Sequence, residues 1–220
     1  MYENVGIGYS GYAIVEGVLY TMGARDAVEY VIAIDAASGK EKWSSEVGAL
    51  LQNGFGDGPR ATPTVDGGKV YAMSGKGNLV CVNAADGKKL WEASMTALGG
   101  SVPGWGYCES PLIVGDLVVA TPGGDQGTLA AFDKSTGTKK WQSTEWTDKA
   151  QYASALAVDL NGAKQIIQLT QKTFAGVNAA DGKVLWRSDF PGKTAVIPTP
   201  VFHEGQVFIT AGDGAGCKSV

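Results

Sequence analysis

Six side chains that could hold a ligand lie in the long stretches between predicted β-strands or directly before such a strand. They combine aromatic rings with charged or amide groups: Arg60, Trp105, Tyr107, Glu109, Gln151 and Tyr152. Such a set around one opening can hold a peptide strand, a sugar or another small ligand. Charged loop residues are also commonly solvated or paired with each other, and this alternative stays open. We predict a ligand-binding face from these six residues.

Two glycine-rich stretches have part of the spacing of phosphate-binding loops. Gly6–Gly11 matches a dinucleotide-binding motif, but that motif requires a strand before it and a helix after it, and neither is predicted here. Gly192 and Lys193 match the end of a phosphate loop, yet Arg187 occupies a position that requires glycine. We therefore expect no phosphate site.

The residues that usually perform nucleophilic catalysis or bind metals are scattered along the chain. His203 is the only histidine and lies on a predicted turn, so that no Ser–His or Cys–His pair is available. Asp125 and Asp213 lie on loops where oxygen ligands could gather around Ca²⁺, but their spacing matches no calcium loop and favours turn formation. The cysteines contain no CxxC pair and are Cys81, Cys108 and Cys217. We predict no catalytic residue and no metal site.

Composition and charge limit the classes of partner that the chain can bind. The net charge of −4 and the pI near 5.0 leave no basic field for nucleic acid or for an anionic membrane surface. No apolar run approaches the length of a transmembrane segment, and no signal peptide is visible. The 44% hydrophobic content is that of a globular protein.

An eleven-residue motif recurs every 45 to 50 residues and organises the chain. In each copy a small residue and an apolar residue precede Asp or Asn, Gly follows four positions later, and Trp four positions after that. The copies are Ala33–Trp43, Cys81–Trp91, Ala131–Trp141 and Gly176–Trp186. Asp or Asn can bond the backbone of a turn, and Gly supplies the positive φ that closes it, so each copy predicts a β-hairpin with Trp on the outgoing strand.

This period is typical of propeller blades. Helical arrays have a similar period, but apolar residues alternate here and Gly or Pro interrupts the chain about every ten residues. We predict an all-β fold, a β-propeller of four-stranded antiparallel blades forming one domain over residues 1–220. It has four blades and part of a fifth: 9–45, 61–93, 110–143, 154–188 and 199–220.

The linkers of residues 46–60 and 94–109 are much longer than the tight turns within the blades, and connections of that length are often functional. Arg60 and Glu109 precede the first strand of their blades, which is innermost in a propeller. We therefore place both near the mouth of the central channel.

The four motif copies resemble the PQQ-like propeller repeat, found in quinoprotein dehydrogenases and in the propeller lipoprotein of the bacterial outer-membrane assembly machinery. The resemblance covers nearly the whole chain and implies that Trp43, Trp91, Trp141 and Trp186 pack between neighbouring blades. Trp146 lies outside the motif, and we expect it to matter less for stability. WD40 repeats fit worse, because no Asp follows these tryptophans.

The resemblance implies a non-catalytic binding or assembly scaffold in the periplasm or cell envelope, with a protein or peptide partner or a small ligand at the long-linker face. The alternative is a PQQ-dependent dehydrogenase of alcohols or sugars, or a fragment of one. In those enzymes adjacent cysteines cover the quinone, which is bound with Ca²⁺, and the three cysteines here are never adjacent. We therefore expect no cofactor, with PQQ and calcium only under the alternative.

Complete propellers of this family usually have more blades, which implies that the chain is a fragment. We expect an open arc, because the segment of residues 1–8 is a weak strand with which to complete the fifth blade. Open blade edges then predict self-association.

Overall fold

The computed structural model describes residues 2–220, which fold into two compact units. The first unit consists of residues 2–94, Gly104–Pro111 and Lys134–Gly137. The second unit consists of Met95–Pro103, Leu112–Asp133 and Thr138–Val220. The assignment of all 220 residues to one domain stays a prediction.

The first unit contains two four-stranded antiparallel sheets whose strands neighbour one another in chain order. The first sheet consists of β1 (Tyr12–Val15), β2 (Val18–Arg25), β3 (Val28–Asp35) and β4 (Glu41–Ala49). The second consists of β5 (Thr64–Asp66), β6 (Lys69–Met73), β7 (Asn78–Asn83) and β8 (Lys89–Ser94). Glu16 and Gly17 join β1 to β2 with φ angles of 50° and 77°, the positive values that a tight hairpin turn requires.

The second unit contains three antiparallel sheets. The first consists of β9 (Leu112–Val114), β10 (Leu117–Ala120), β11 (Ala130–Asp133) and β12 (Lys139–Gln142). The next consists of β13 (Leu156–Leu160), β14 (Ala163–Leu169), β15 (Thr173–Asn178) and β16 (Val184–Asp189). The last has three strands, β17 (Val201–His203), β18 (Gln206–Ala211) and β19 (Gly216–Ser219).

The predicted all-β class and the sheets of four, four, four, four and three strands are confirmed. The only helical element among residues 2–220 is a three-residue 3₁₀ turn at Thr96–Leu98. One strand is longer than predicted: β4 continues to Ala49, which pairs with Val28 at the far end of β3. The buried side chain of Val47 explains this extension, because it keeps the strand attached to the core beyond the motif.

The repeated motif forms the predicted hairpin in every copy. In the first copy Gly39 has a φ of 69°, and its N–H donates to the Asp35 carbonyl at 2.8 Å. The side-chain oxygen of Asn83 accepts the N–H of Ala85 at 2.8 Å, as predicted for a residue that bonds the backbone two positions on. Turn geometry is therefore set by the residues that define the repeat.

Each motif tryptophan lies opposite a small residue of the preceding strand. The paired positions are Ala33 with Trp43, Cys81 with Trp91, Ala131 with Trp141 and Gly176 with Trp186. A β-bulge follows directly after each small residue. At Gly176 a Cβ would lie 2.2 Å from Nε1 of Trp186, so glycine is required there for space. The small residue thus makes room for the indole ring.

Three of the four tryptophans contact the turn of the following motif copy. The Nε1–O distances are 3.0 Å from Trp43 to Ala84, 3.1 Å from Trp91 to Lys134 and 3.0 Å from Trp141 to Ala179. Each acceptor is the residue directly after the motif Asp or Asn. The rings lie against the motif glycine, where a Cβ at Gly87 would be 2.6 Å from Trp43. We call this arrangement the indole contact.

Trp186 and Trp146 depart from this pattern. Trp186 donates at 2.8 Å to the side-chain oxygen of Gln165 in its own sheet. Trp146, outside the motif, is 0% exposed and donates to the hydroxyl of Thr173 at 2.9 Å. The Trp146 ring thus belongs to a hydrophobic core, and the expectation that it matters less for stability than the motif tryptophans stays a prediction.

We predict that replacing a motif tryptophan removes a large part of the stability of the chain. Trp91→Ala should lower the free energy of unfolding by about 3–5 kcal/mol, because it empties a buried aromatic site. Trp91→Phe keeps most of the ring and should cost only about 1–2 kcal/mol, chiefly for the carbonyl left without its indole donor.

Denaturant unfolding measures these differences. Leu90→Ala is the matched control, since Leu90 is next to Trp91 on β8 and is 44% exposed. A loss for Trp91→Ala no greater than that for Leu90→Ala would contradict the role given to the indole contact.

Candidate functional site

Two long linkers meet within the first unit and form the candidate site. Asn53 joins them, because its side-chain amide donates to the Gly104 carbonyl at 2.7 Å. Its backbone N–H donates to Asp57 at 2.7 Å, and its side-chain oxygen accepts the N–H of Phe55 at 3.0 Å. One asparagine therefore fixes the local turn and attaches the second linker to it.

Arg60 forms its hydrogen bonds within the first linker. Its guanidinium donates to the carbonyls of Gly58 and Gly56 at 2.6 and 2.7 Å and lies 5.1 Å from the centre of the Tyr9 ring. The Tyr9 hydroxyl in turn donates to the Phe55 carbonyl at 3.1 Å. These contacts hold the loop in one conformation. Arg60 therefore positions the backbone beneath Phe55.

Phe55 and Trp105 form an aromatic pair, one residue from each linker, in which Phe55 is exposed and Trp105 is partly buried. Their ring centres are 5.7 Å apart and their planes meet at 64°, the edge-to-face geometry that aromatic rings prefer. The Phe55 residue is 77% exposed. A cavity of about 640 Å³ beside it is lined by Tyr9, Asn53, Asp57 and neighbouring backbone. Large exposed aromatic side chains on a fixed backbone are typical of interaction sites.

Tyr107, Cys108 and Glu109 lie beneath this surface. Tyr107 and Glu109 are 1% and 2% exposed, and the Tyr107 N–H donates to the Gly75 carbonyl at 2.9 Å. Burial raises the pKa of the Tyr107 hydroxyl, and the negative charge of Glu109 raises it further. Burial also raises the pKa of the Cys108 thiol to about 11, against a smaller opposing effect of Arg60. Cys108 is thus a neutral thiol at physiological pH, and the three residues form the base of the site.

Glu29 is a buried residue that supports the site and that the sequence analysis did not predict. It lies on β3, is 0% exposed, and its two carboxylate oxygens accept the N–H groups of Leu51 at 2.9 Å and Gly75 at 2.8 Å. Burial raises the pKa of this carboxyl, and the two hydrogen bonds partly offset the rise. Its position as an acidic residue in the otherwise apolar run Val28–Ala33 could have indicated that its side chain is buried. Glu29 anchors the start of the first linker to the loop that also holds Tyr107.

Gln151 and Tyr152 lie in the second unit. The Gln151 side-chain oxygen accepts the N–H of Val196 at 3.4 Å, and the Tyr152 N–H donates to the Val196 carbonyl at 3.0 Å. Tyr152 is 8% exposed. The structure therefore brings four of the six predicted residues into one unit and ties the other two to a separate segment. A ligand site at these residues stays a prediction.

Metal-binding side chains do not gather in the part of the chain that the structure describes. Among residues 2–220 no three His, Cys, Asp or Glu side chains form a group that could hold a metal ion. Cys81, Cys108 and Cys217 are free thiols, and the first is buried and the last exposed. The expectation of no cofactor stays a prediction. No helix in residues 2–220 is long and apolar enough to span a membrane.

The Gly6–Gly11 stretch has no dinucleotide-binding geometry. Ile7 forms an antiparallel bridge with Ala24 of β2, with N–O distances of 3.0 and 2.7 Å. The stretch is followed by β1, a strand, where the nucleotide motif requires a helix. The stretch therefore lacks the strand–turn–helix context of that motif.

We predict that Glu29 makes stability depend on pH. Because its pKa in the folded protein is raised above the ordinary value of 4.5, its contribution to the unfolding free energy is complete below that pH. This contribution is lost as the pH rises through the folded-state pKa. The difference in unfolding free energy between the wild type and Glu29→Gln should therefore fall as the pH rises above the ordinary value of 4.5.

Urea unfolding at a series of pH values tests this dependence. Glu46→Gln, at an exposed position of the neighbouring strand β4, is the matched control. A difference in unfolding free energy between the wild type and Glu29→Gln that stays constant as the pH rises would show that the buried carboxyl has no raised pKa.

Comparison with known proteins identifies the fold. A family model described as outer membrane protein assembly factor BamB matches residues 27–219. BamB from Moraxella catarrhalis is similar in structure with a TM-score of 0.63 and 19% identity, over 100% of this chain and 60% of that protein. A europium-containing methanol dehydrogenase has a TM-score of 0.62 and 14% identity, over 91% of this chain and 51% of that enzyme.

The quinohemoprotein alcohol dehydrogenase ADHIIG from Pseudomonas putida HK5 is also similar, with a TM-score of 0.58 and 16% identity, over 99% of this chain and 39% of that enzyme. The chain thus spans 60% of the BamB structure and about half of the methanol dehydrogenase. A comparison with curated proteins gives no match. At these identities the likeness shows the fold alone, and the predicted PQQ-like β-propeller is confirmed.

Proposed function

Because the chain belongs to the PQQ-like propeller family described as outer membrane protein assembly factor BamB, we propose that it is a non-catalytic binding or assembly scaffold of the bacterial cell envelope. The family description supports the envelope location. The structural neighbours include both an assembly factor and dehydrogenases, so that the site itself must carry the functional argument.

The observation that carries this proposal is an aromatic pair on a fixed backbone, in which Phe55 is exposed and packs against the partly buried Trp105. Aromatic residues dominate the binding energy of protein interfaces, because they bury a large apolar area with few rotatable bonds. Binding also costs less when the contact residues are already held in place. Here Asn53, Arg60 and Glu29 hold the linkers, so the pair is preorganised.

The partner that fits this surface is a protein or peptide segment with an apolar side chain. Such a side chain would pack against the exposed Phe55 ring, while the Asp57 carboxylate and the backbone of the adjacent cavity would meet polar groups of the same segment. The charge balance of the chain supports a partner that is neither nucleic acid nor an anionic membrane surface.

The groups suited to chemistry at this site are engaged in holding its structure. Both oxygens of the Glu29 carboxylate accept backbone N–H groups, and Arg60 donates to two carbonyls. The Cys108 thiol is neutral because of its raised pKa. These features support binding and give no support to nucleophilic catalysis at the linkers.

Site-specific photo-crosslinking tests the scaffold proposal. With p-benzoyl-phenylalanine at position 55, we expect covalent capture of a discrete envelope protein or peptide in intact bacteria. The same group at Leu90, which is exposed in the same unit, should capture nothing reproducible.

Trp105→Ala should then weaken the affinity for the captured partner by about thirtyfold, the loss expected for an aromatic residue at the centre of an interface. Leu90→Ala should leave the affinity within twofold. Equal capture from positions 55 and 90, or an unchanged affinity of Trp105→Ala with unchanged thermal unfolding, would refute the proposed binding face.

The proposal also includes the absence of a quinone cofactor, which is supported by the wide separation of Cys81, Cys108 and Cys217 in the sequence. Tryptophan fluorescence should stay flat when the chain is titrated with PQQ in the presence of Ca²⁺. Saturable quenching at micromolar PQQ, together with reduction of a dye by an alcohol, would instead establish the dehydrogenase alternative.

A further inference from the structure

A cavity of about 620 Å³ in the first unit is lined by residues of both of its sheets. It lies beside the turns that join β1 to β2 and β5 to β6, and its apolar wall includes Val15, Val18 and Val65. We call this cavity the turn pocket. Its volume falls within the range of sites that bind small organic molecules. None of its lining residues belongs to the two long linkers, so the turn pocket is separate from the aromatic pair.

Two side chains bring oxygen atoms to the turn pocket. Glu16 lies on the exposed turn after β1, and Tyr20 lies on β2 and is 4% exposed. Burial raises the pKa of the Tyr20 hydroxyl, and the nearby negative charge of Glu16 raises it further. A carboxylate beside a hydroxyl oxygen, next to an apolar wall, is suited to a ligand with a cationic donor group and an alkyl chain.

The second sheet has an equivalent tyrosine. Tyr20 pairs with Ala33 of β3, and Tyr71 pairs with Cys81 of β7. Ala33 and Cys81 are the first residues of two copies of the repeated motif. The two tyrosines therefore hold the same place in consecutive repeats, and the surroundings of one can be compared with those of the other.

Beside the second tyrosine the chain supplies its own alkylammonium group. Lys134 and Ala84 each follow directly after a motif Asp or Asn, and their carbonyls accept from the hydroxyls of Tyr71 and Tyr20 at 3.0 and 3.5 Å. The Lys134 ammonium lies 3.0 Å from the Asp66 carboxylate at the end of β5. Ala84 has only a methyl group where Lys134 has this chain, and it lines the open turn pocket.

The charges around the turn pocket select a ligand with one positive charge. Asp66 lines the pocket, but its carboxylate is already paired with Lys134. Glu16 has no ion-pair partner among residues 2–220, so its carboxylate is the one available to a cation. Lys42 also lines the pocket and would repel a second positive charge on the same ligand.

We propose that the turn pocket binds a primary alkylammonium group whose chain has about four carbon atoms, the length of a lysine side chain. The ammonium donates to the Glu16 carboxylate and to the Tyr20 hydroxyl oxygen, and the alkyl chain packs against the apolar wall. A free amine and a lysine side chain of another polypeptide share this chemistry. Because the pocket is separate from Phe55 and Trp105, this inference does not depend on the proposed function.

Titration of the ¹⁵N-labelled chain with n-butylammonium chloride at constant ionic strength tests the proposal by NMR. We expect saturable shifts of the Gly17, Gly68 and Ala85 amide signals with a Kd of about 5 mM, since so small a ligand buries little area. 1-Butanol has the same chain without the charge. It should bind at least about tenfold more weakly, because it cannot form the charge-assisted hydrogen bond to Glu16.

Three variants assign the site. Glu16→Gln keeps the size of the side chain but removes its charge, and it should weaken binding of n-butylammonium about tenfold. Ala84→Lys introduces the chain that Lys134 has in the next repeat and should prevent binding by filling the pocket. Glu46→Gln, at an exposed position of β4 in the same sheet, is the matched control and should bind like the wild type. Amide signals away from the pocket show that each variant is folded.

Nα-acetyl-L-lysine N-methylamide distinguishes the two sources of the alkylammonium group. This compound carries the same chain and ammonium group on a piece of polypeptide backbone. Binding tighter than that of n-butylammonium supports a lysine of a partner polypeptide, because the backbone then adds contacts. Equal or weaker binding supports a free amine as the ligand.

Three results would overturn the proposal. The first is the absence of saturable shifts at the three amides up to about 50 mM, ten times the expected Kd. The second is equal binding of n-butylammonium by Glu16→Gln and the wild type, since the carboxylate would then take no part. The third is equal binding of 1-butanol and n-butylammonium, which would show that the pocket recognises only the apolar chain.

Discussion

The structure depends on the contact between a tryptophan indole and the turn of the next motif copy. This contact imposes three requirements at once: a carbonyl free to accept the indole N–H, a glycine on which the ring can lie, and a small residue opposite the tryptophan. Trp43 shows all three, since it donates to Ala84, lies against Gly87 and faces Ala33. All three requirements fall on residues of the motif, so the contact explains why these residues recur together.

Because turns and tryptophans hold the sheets, the linkers are free to carry other surfaces. The first unit nevertheless fixes its linkers with polar side chains. Glu29 reaches out of β3 to Leu51 and Gly75, and Arg60 folds back on its own loop. A buried carboxylate is costly unless its oxygens are satisfied, and here both accept backbone donors. The charged groups of the site are thus used to hold its structure, while Phe55 remains exposed.

The fold could be predicted from the sequence because its determinants are local. The bounds of β6, β7 and β15 follow directly from turn residues and alternating apolar positions. The roles of Glu29 and Trp146 could not be predicted in this way, because they depend on partners distant in the chain. Glu29 accepts from Gly75, 46 positions away, and Trp146 donates to Thr173, 27 positions away. The linker conformation likewise depends on Arg60, whose partners are backbone carbonyls. Every residue has such a carbonyl, so the sequence does not reveal which ones Arg60 contacts.

The same reasoning explains why one scaffold suits both assembly factors and dehydrogenases. The indole contact uses backbone carbonyls and glycines, so it places no demand on the linker side chains. Linker chemistry can therefore change without loss of the fold. In this chain the linker residues Asp57, Cys108 and Glu109 are hydrogen-bonded, neutral or buried, while Phe55 is exposed. Apolar area drives association and needs no titratable group, whereas redox chemistry requires ligands for its cofactor. The balance of groups at the linkers therefore favours binding.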